Sequence, residues 1–268
     1  MPDRARRLCP ERAGPPPVRG KGAGSRQTDS VNALRSVAVE VWRFHLDLAP
    51  APLAELEGML SLDERARAAR FHFDRDRRRF TAARGSVRCV LGRYLGIPAS
   101  ALTFGYDSHG KPYLTGSHGI DLRFNVAHSG EVALLAVTDG VDVGVDVEVP
   151  RELPDRRQLA ARFFAESETA AIEAVPEALR HQAFFTCWTR KEAYIKAIGL
   201  GLSAPLDSFE VSVVPGEPAA LLRIHGSADA AGEWSLHDLS NLPDYAAAMA
   251  VRTPRAQVIT RDIDGAAI

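Results

Sequence analysis

The sequence is poor in the features that mark specialised classes of protein. Its three cysteines, Cys9, Cys89 and Cys187, are scattered along 268 residues with no CxxC spacing. That excludes a disulfide framework and a cysteine-rich zinc site, and it fits a reducing compartment. No apolar run approaches the roughly 20 residues needed to cross a bilayer, which excludes a helical membrane span. The N-terminus lacks the apolar core of a secretory signal, so the expected location is the cytoplasm. Net charge is missing as well: 33 Lys and Arg balance 34 Asp and Glu, for a formal value of −1. Without a basic field, nucleic acid is not an expected partner. What remains is an ordinary globular composition, 46% hydrophobic and 25% charged, with room for two modest cores.

Residues 1–35 carry Asp3, Glu11, Asp29 and the Pro15-Pro16-Pro17 run. This composition reads as a disordered extension rather than a transit peptide. Globular signals begin at Val37, where apolar residues alternate as in a strand. Ser61-Leu62-Asp63-Glu64 has the form of a capping box and predicts a helix running towards His72. A second helix is expected over Arg77–Leu95, then a short strand over Leu102–Tyr106, a turn at Ser108-His109-Gly110, the segment Lys111-Pro112-Tyr113-Leu114 and an apolar strand over 132–137. The second half opens with a strand over 141–149, followed by helices from Arg156, from Glu166 and from Pro176 to Ile198. Gly199 and Gly201 punctuate the end of the last one. Strands at 209–213, 221–224, 234–239 and 246–251 are expected to form an antiparallel meander. The fifteen residues from 254 read as a weakly ordered tail. The order strand, helices, strands occurs twice, which predicts an α+β chain of two similar subdomains, 36–140 and 141–253, with a site in the cleft between them.

Two short stretches concentrate chemistry. In Gly144-Val145-Asp146-Val147-Glu148, apolar and acidic residues alternate, so Asp146 and Glu148 share one face of a strand. In Trp188-Thr189-Arg190-Lys191-Glu192-Ala193-Tyr194-Ile195-Lys196, Glu192 and Lys196 lie one helical turn apart. Two acids side by side on a strand repel unless a cation or donor stands between them. A third carboxylate from a helix completes the oxygen-only ligand set that Mg²⁺ prefers, leaving positions for phosphate oxygens, and the lysines would meet those phosphates. The residues by themselves therefore point to a Mg²⁺-dependent enzyme acting on a phosphate or pyrophosphate. Taken alone, the charged residues of the helix are equally an ordinary surface ion pair. Trp188 reads as a structural anchor packed with Phe184.

Gly110-Lys111-Pro112, Phe124-Asn125-…-His128-Ser129-Gly130, the GVDVE strand and Trp188-…-Lys191-Glu192-…-Lys196-…-Gly199-Leu200-Gly201-Leu202 occur in one order over residues 40–250. In this combination the sequence resembles the Sfp-type 4′-phosphopantetheinyl transferases. The resemblance implies two α/β subdomains related by pseudo-twofold symmetry, with coenzyme A bound between them as co-substrate. It implies transfer of phosphopantetheine to a serine of an acyl-, aryl- or peptidyl-carrier protein by a monomer, with release of 3′,5′-ADP. Asp146, Glu148 and Glu192 would hold Mg²⁺, Lys196 would stabilise the pyrophosphate, and Glu192 is the family's candidate base.

Coenzyme A contacts are implied for Arg67, Arg79, Lys111, Pro112, His128, Lys191 and Lys196. Arg79 matches the family's phosphate-binding arginine, and Arg67 stands where a lysine is often found. Two positions depart from the pattern: Ala127 sits where many relatives have Ser or Thr, and Glu64 stands at a place that can be basic in relatives. Two alternatives stay open at this point. One is another Mg²⁺-dependent phosphotransferase or pyrophosphatase acting on a nucleotide; the other is a non-catalytic carrier-binding module. Phe163 and Phe164 are candidate carrier contacts that equally suit a core.

Overall fold

Apolar alternation and helix punctuation carry most of the architecture in the computed structural model, which describes residues 36–116, 119–201, 204–239 and 241–263. The expected extension 1–35 lies outside the described residues, as does Leu202. The chain separates into two compact units, one built on Phe44–Leu102 and one on Ala38–Arg43 with Thr103–Arg261.

The first unit is helical. Helix α1 (Pro50–Met59) starts on proline, whose fixed φ and missing N–H suit a first turn, and it buries Leu53 and Leu56. Helix α2 (Leu62–Ala68) opens on the expected capping box, with the Ser61 N–H donating to the Glu64 carboxylate at 3.0 Å. It ends before His72, since the chain turns at 69–71 and Phe71 pairs with Phe80 of the next helix at 5.4 Å. That helix, α3 (Asp74–Leu95), begins three residues earlier than expected. Asp74 and Asp76 occupy its first turn, where carboxylates favour the positive end of the helix. It stops at Gly96, in the left-handed conformation at φ 67°. Gly85 lets α1 approach closely, because a Cβ there would lie 2.6 Å from Leu56 Cβ.

The second unit contains two sheets. Strands β1 (Val37–His45), β2 (Phe104–Tyr106), β3 (Pro112–Leu114), β4 (Leu122–Ser129), β5 (Val132–Asp139) and β6 (Val143–Glu148) come first. Helices α4 (Arg156–Phe163), α5 (Glu166–Ala174) and α6 (Glu177–Ile198) follow. Next are β7 (Phe209–Val211), β8 (Leu221–Ile224), the single-turn helix α7 (Ala228–Ala231), β9 (Ser235–Asp238), β10 (Ala246–Val251) and β11 (Ala256–Ile263). One sheet has the order β11-β1-β5-β4 and the other β6-β10-β9, while β2-β3 and β7-β8 form separate hairpins. The chain is thus of α+β class.

Two expectations need correction. The residues from 254 are not a weak tail throughout: Ala256–Ile263 form edge strand β11 beside β1. There Arg261 pairs with Glu40 at 2.6 Å and covers the Trp42 ring at 5.4 Å. The meander is also smaller than expected. Antiparallel β9 and β10 belong to it, whereas Leu221–Ile224 pairs with β7 in its own hairpin.

Helix α6 lies against β6 and β10 on a surface of small residues. Ala246, Ala248 and Ala250 share a core with Ala193 and Ala197 of the helix. Gly144 is the closest point, since a Cβ there would stand 2.1 Å from the Ala193 carbonyl oxygen. This proximity sets the distance between the acidic strand and the acidic helix.

Candidate active site

Strand β6 pairs antiparallel with β10, Asp146 opposite Ala248 and Glu148 opposite Ala246. The strand therefore presents Gly144, Asp146 and Glu148 on one face and Val143, Val145 and Val147 on the other. Asp146 is 3% exposed and Glu192, from α6, is 7% exposed. One turn beyond Glu192, Lys196 donates from Nζ to Asp146 Oδ1 at 2.5 Å. Glu148 Oε2 accepts from Ser129 Oγ at 3.1 Å.

The cluster carries more negative charge than it can satisfy. Asp146 Oδ2 and Glu192 Oε1 are buried and have no hydrogen-bond partner. Burial raises the Asp146 carboxyl to about 7, with Glu148 and Glu192 adding to the shift and Lys196 opposing it. Burial likewise raises Glu192, helped by Glu148 and opposed by Lys196. Buried carboxylate oxygens without donors are costly unless a cation is present. The donor set, three carboxylates with two orphaned oxygens, fits a hard divalent ion such as Mg²⁺. Among the described residues no three His, Cys, Asp or Glu side chains already converge as ligands, and the Lys196 ammonium holds one Asp146 oxygen.

The neighbouring strand contributes residues that the sequence reading gave no role. Asn125 and Ser129 lie on one face of β4. Asn125 Oδ1 accepts the Val145 N–H at 2.9 Å, and Ser129 Oγ accepts the Val149 N–H at 3.1 Å while donating to Glu148. Their side chains stand in for a backbone ladder and so pin β6 at both ends of the acidic segment. The signal was available in the motif, as Asn125 and Ser129 lie four positions apart and so share one face of a strand, with buried Ala127 between them. Gly130, at φ 57°, makes the turn into β5. Ala127 shares this inward face and is buried, whereas His128 points to the opposite, exposed side.

The structure reassigns several expected coenzyme contacts. Lys191 is fully buried and directed away from the carboxylates: its Nζ lies 2.7 Å from Glu168 Oε2 and donates to the Leu206 and Phe209 carbonyls, each at 2.6 Å. All three donors are used, so Lys191 does not serve as a phosphate contact in this arrangement. Lys111 donates to the Lys196 carbonyl at 2.6 Å and the Ala197 carbonyl at 3.3 Å, capping the negative end of α6. Burial lowers its pKa. Beside Lys111 and Pro112 opens a pocket of about 280 Å³, lined also by Arg123, Phe124, Asp142 and Gly199. A larger, more open depression of about 530 Å³ at Asp229, Glu233 and Arg252 contains none of the candidate residues.

Arg67 and Arg79 belong to the first unit. Arg79 grips Asp47 with two hydrogen bonds, at 2.7 and 2.5 Å. Arg67 lies over the Phe80 ring at 5.3 Å. Glu64 is no phosphate neighbour: it is 2% exposed and ion-paired with Arg84 and Arg88, the latter at 2.6 Å. Phe164 is core, packed with Phe184 and Trp188, which also bears out Trp188 as an anchor. Phe163 is partly buried against the same core.

An α+β chain with a buried acidic strand facing an acidic and basic helix has the equipment of a phosphate-processing enzyme. Comparison with known proteins makes the assignment specific. Residues 142–250 match the profile of the 4′-phosphopantetheinyl transferase superfamily, and residues 50–139 match that of the 4′-phosphopantetheinyl transferase N-terminal region. The chain is 41% identical over 219 residues to the 4′-phosphopantetheinyl transferase HetI of Nostoc sp., covering 81% of this chain and 89% of that one. It is 32% identical over 152 residues to 4′-phosphopantetheinyl transferase Sfp of Bacillus subtilis, covering 57% and 66%. The L-aminoadipate-semialdehyde dehydrogenase-phosphopantetheinyl transferase of Xenopus laevis is 34% identical over 163 residues, covering 57% and 54%. The chain belongs to the Sfp-type 4′-phosphopantetheinyl transferase family. Among the described residues, no helix is long and apolar enough to cross a membrane.

Proposed function

We propose that this enzyme transfers the 4′-phosphopantetheine group of coenzyme A to a serine hydroxyl of an apo acyl-, aryl- or peptidyl-carrier protein. In that reaction the serine Oγ forms a bond to the β-phosphorus. The bond to the bridging oxygen breaks, and 3′,5′-ADP leaves with the electron pair. Family membership and one structural observation together support this reading: Asp146 and Glu192 each bury a carboxylate oxygen without a partner, and Lys196 holds the other Asp146 oxygen.

Asp146, Glu148 and Glu192 would hold Mg²⁺, which when bound neutralises pyrophosphate charge and polarises the phosphoryl group. Lys196 then releases Asp146 and turns its ammonium to the pyrophosphate, stabilising charge on the departing nucleotide. Ser129 keeps Glu148 oriented through its hydroxyl. Glu192 Oε1 is the acceptor for the serine proton, directly or through water. Most of the remaining work is positioning.

The adenine borders Lys111 and Pro112, where the 280 Å³ pocket opens. Arg67, Arg79 and His128 supply cationic or donor groups to the phosphates. We read residues 36–140 and 141–253 as two subdomains acting as one monomer in the cytoplasm, with no nucleic-acid partner.

The test follows both products at once. Purified enzyme is incubated with coenzyme A, Mg²⁺ and an apo carrier, and 3′,5′-ADP is measured chromatographically beside the modified carrier. Equal amounts of the two support transfer. Cleavage of coenzyme A without carrier modification supports the pyrophosphatase alternative, and no cleavage supports a non-catalytic carrier-binding module.

A further inference from the structure

Helix α6 is buried almost all round over 183–197. Such a helix has no single apolar stripe to fix its rotation about its own axis. Yet Lys196 reaches Asp146, with Glu192 one turn before it, only at one rotation, and successive residues differ by about 100° around a helix. Something other than hydrophobic burial must select that rotation.

The two residues before Glu192 do so with buried charge. Lys191 spends its three donors on Glu168 Oε2 and the Leu206 and Phe209 carbonyls, and its ammonium lies 4.3 Å from the Phe209 ring centroid. Glu168 is itself 2% exposed and fully engaged. Besides Lys191 it accepts the Val211 N–H at 2.7 Å and the Ala165 N–H at 2.9 Å. One carboxylate thereby ties the start of α5 and strand β7 to α6. On a further side of the helix, Arg190 donates to the Ser212 carbonyl at 2.7 Å and pairs with Asp238 at 3.2 Å. A buried ion pair contributes little net stability over apolar packing, but a rotation that parted it would leave an uncompensated buried charge.

We propose that the Lys191–Glu168 pair is a positioning device for phosphopantetheine transfer: it sets the rotation of α6 and so aims Glu192 and Lys196 at Asp146. This rests on the reading of those residues as the reacting site. Neither Lys191 nor Glu168 touches substrate. Both act through the residue that follows Lys191.

The test removes both charges together, in Lys191→Met with Glu168→Gln, so that neither is left buried alone. Glu168→Gln by itself is the milder variant, as it leaves Lys191 its two carbonyls. Three quantities are measured: the thermal midpoint, kcat and KM for coenzyme A with an apo carrier, and Mn²⁺ affinity from the electron paramagnetic resonance of free Mn²⁺. The expected result is a folded double variant in which kcat and Mn²⁺ affinity each fall by about tenfold or more, with KM for coenzyme A little changed. The single variant should lie between it and the parent.

A folded double variant with parental kcat and Mn²⁺ affinity overturns the proposal. So does a rise in KM for coenzyme A at unchanged kcat, which would make Lys191 a coenzyme contact after all. Failure of both variants to fold would make the pair a stability element and likewise sink the proposal. If the parent transfers nothing, the family-based reading fails, while the Mn²⁺ comparison still decides the positioning role. A parent that binds no Mn²⁺ overturns the proposal too.

Discussion

Lys196 and Asp146, fifty positions apart, meet at 2.5 Å with the ammonium on one carboxylate oxygen and the other oxygen buried and unpartnered. The pair holds a carboxylate that burial would otherwise neutralise, and it does so incompletely, since Asp146 is still raised to about 7. The folded protein therefore binds a proton here that the unfolded chain releases near pH 4. As pH rises from about 4 through 7, this group takes stability away from the metal-free enzyme. Asp146→Asn should abolish transfer yet raise the thermal midpoint at pH 8. The gain should amount to about 1–2 kcal/mol, a site residue being kept for activity at the expense of stability. Mg²⁺ should raise the midpoint of the parent and not of the variant, the stabilisation being about 2.7 kcal/mol at a hundred times the dissociation constant. Differential scanning calorimetry with and without Mg²⁺ checks both; a midpoint lowered by the substitution contradicts them.

Gly144 sets the contact between strand and helix. A methyl group there would fall 2.1 Å from the Ala193 carbonyl oxygen and 2.4 Å from the Ala197 nitrogen, both backbone atoms that cannot swing away. Gly144→Ala should cost about 1–3 kcal/mol and push α6 off β6. Since Glu192 and Lys196 ride on α6, kcat should drop by about a hundredfold for a displacement near 1 Å. Urea unfolding and steady-state kinetics on the same preparation test this. Unchanged kcat would mean that the helix–strand spacing does not limit the reaction.

Glu64 anchors the helical unit. Burial by itself would raise its pKa, but hydrogen bonds from Arg88 and the Ser61 N–H, with the charge of Arg84, bring it below the ordinary glutamate value. Because the folded pKa is the lower one, the stabilisation is complete above the ordinary value of about 4.3 and is lost as pH falls through the depressed value. Glu64→Ala would leave Arg88, itself 1% exposed, without its carboxylate and should cost about 3–5 kcal/mol. Acid unfolding of parent and variant should differ in steepness below pH 4.3 or so. Identical acid limbs would show that Glu64 is not protected.

Arg79 is held by Asp47, whose pKa is lowered first by the Arg79 hydrogen bond. The pair is partly exposed, and removing it should change stability by less than about 1 kcal/mol. If Arg79 serves a phosphate, Arg79→Ala should raise KM for coenzyme A by about tenfold, the worth of one charge-assisted contact. Asp47→Asn should leave KM unchanged or lower it. Calorimetric titration with coenzyme A separates these cases, and equal affinity in parent and Arg79→Ala removes Arg79 from the site.

Much of this was legible in the chain because the signals were local. The Ser61–Glu64 capping box, the Gly96 and Gly199 helix ends and the alternation of Val143–Glu148 each report on their own neighbourhood. Helix α1 and strand β11 were not read. Pro50 in the first turn was an unused start signal, and the alternation after Pro254 is short and gains meaning only beside β1. The site divided in the same way. Spacing put Asp146 and Glu148 on one face and Glu192 beside Lys196, but it could not show towards which side Lys191 turns. Adjacent helical residues point about 100° apart, and burial of an all-round apolar helix is a tertiary property. The partners of Glu64 and Lys111 were hidden for a similar reason, because Arg88 and the end of α6 lie far away in sequence.

The most direct measurement is intact-mass spectrometry of an apo carrier protein after incubation with coenzyme A and Mg²⁺, using the parent enzyme and Glu148→Ala side by side, each with and without EDTA. The account predicts that the parent adds one phosphopantetheine to the carrier serine, that EDTA prevents it, and that the folded variant adds none. Full modification by Glu148→Ala, or by the parent in EDTA, would contradict the claim that the acidic strand of β6 and a divalent ion make this active site.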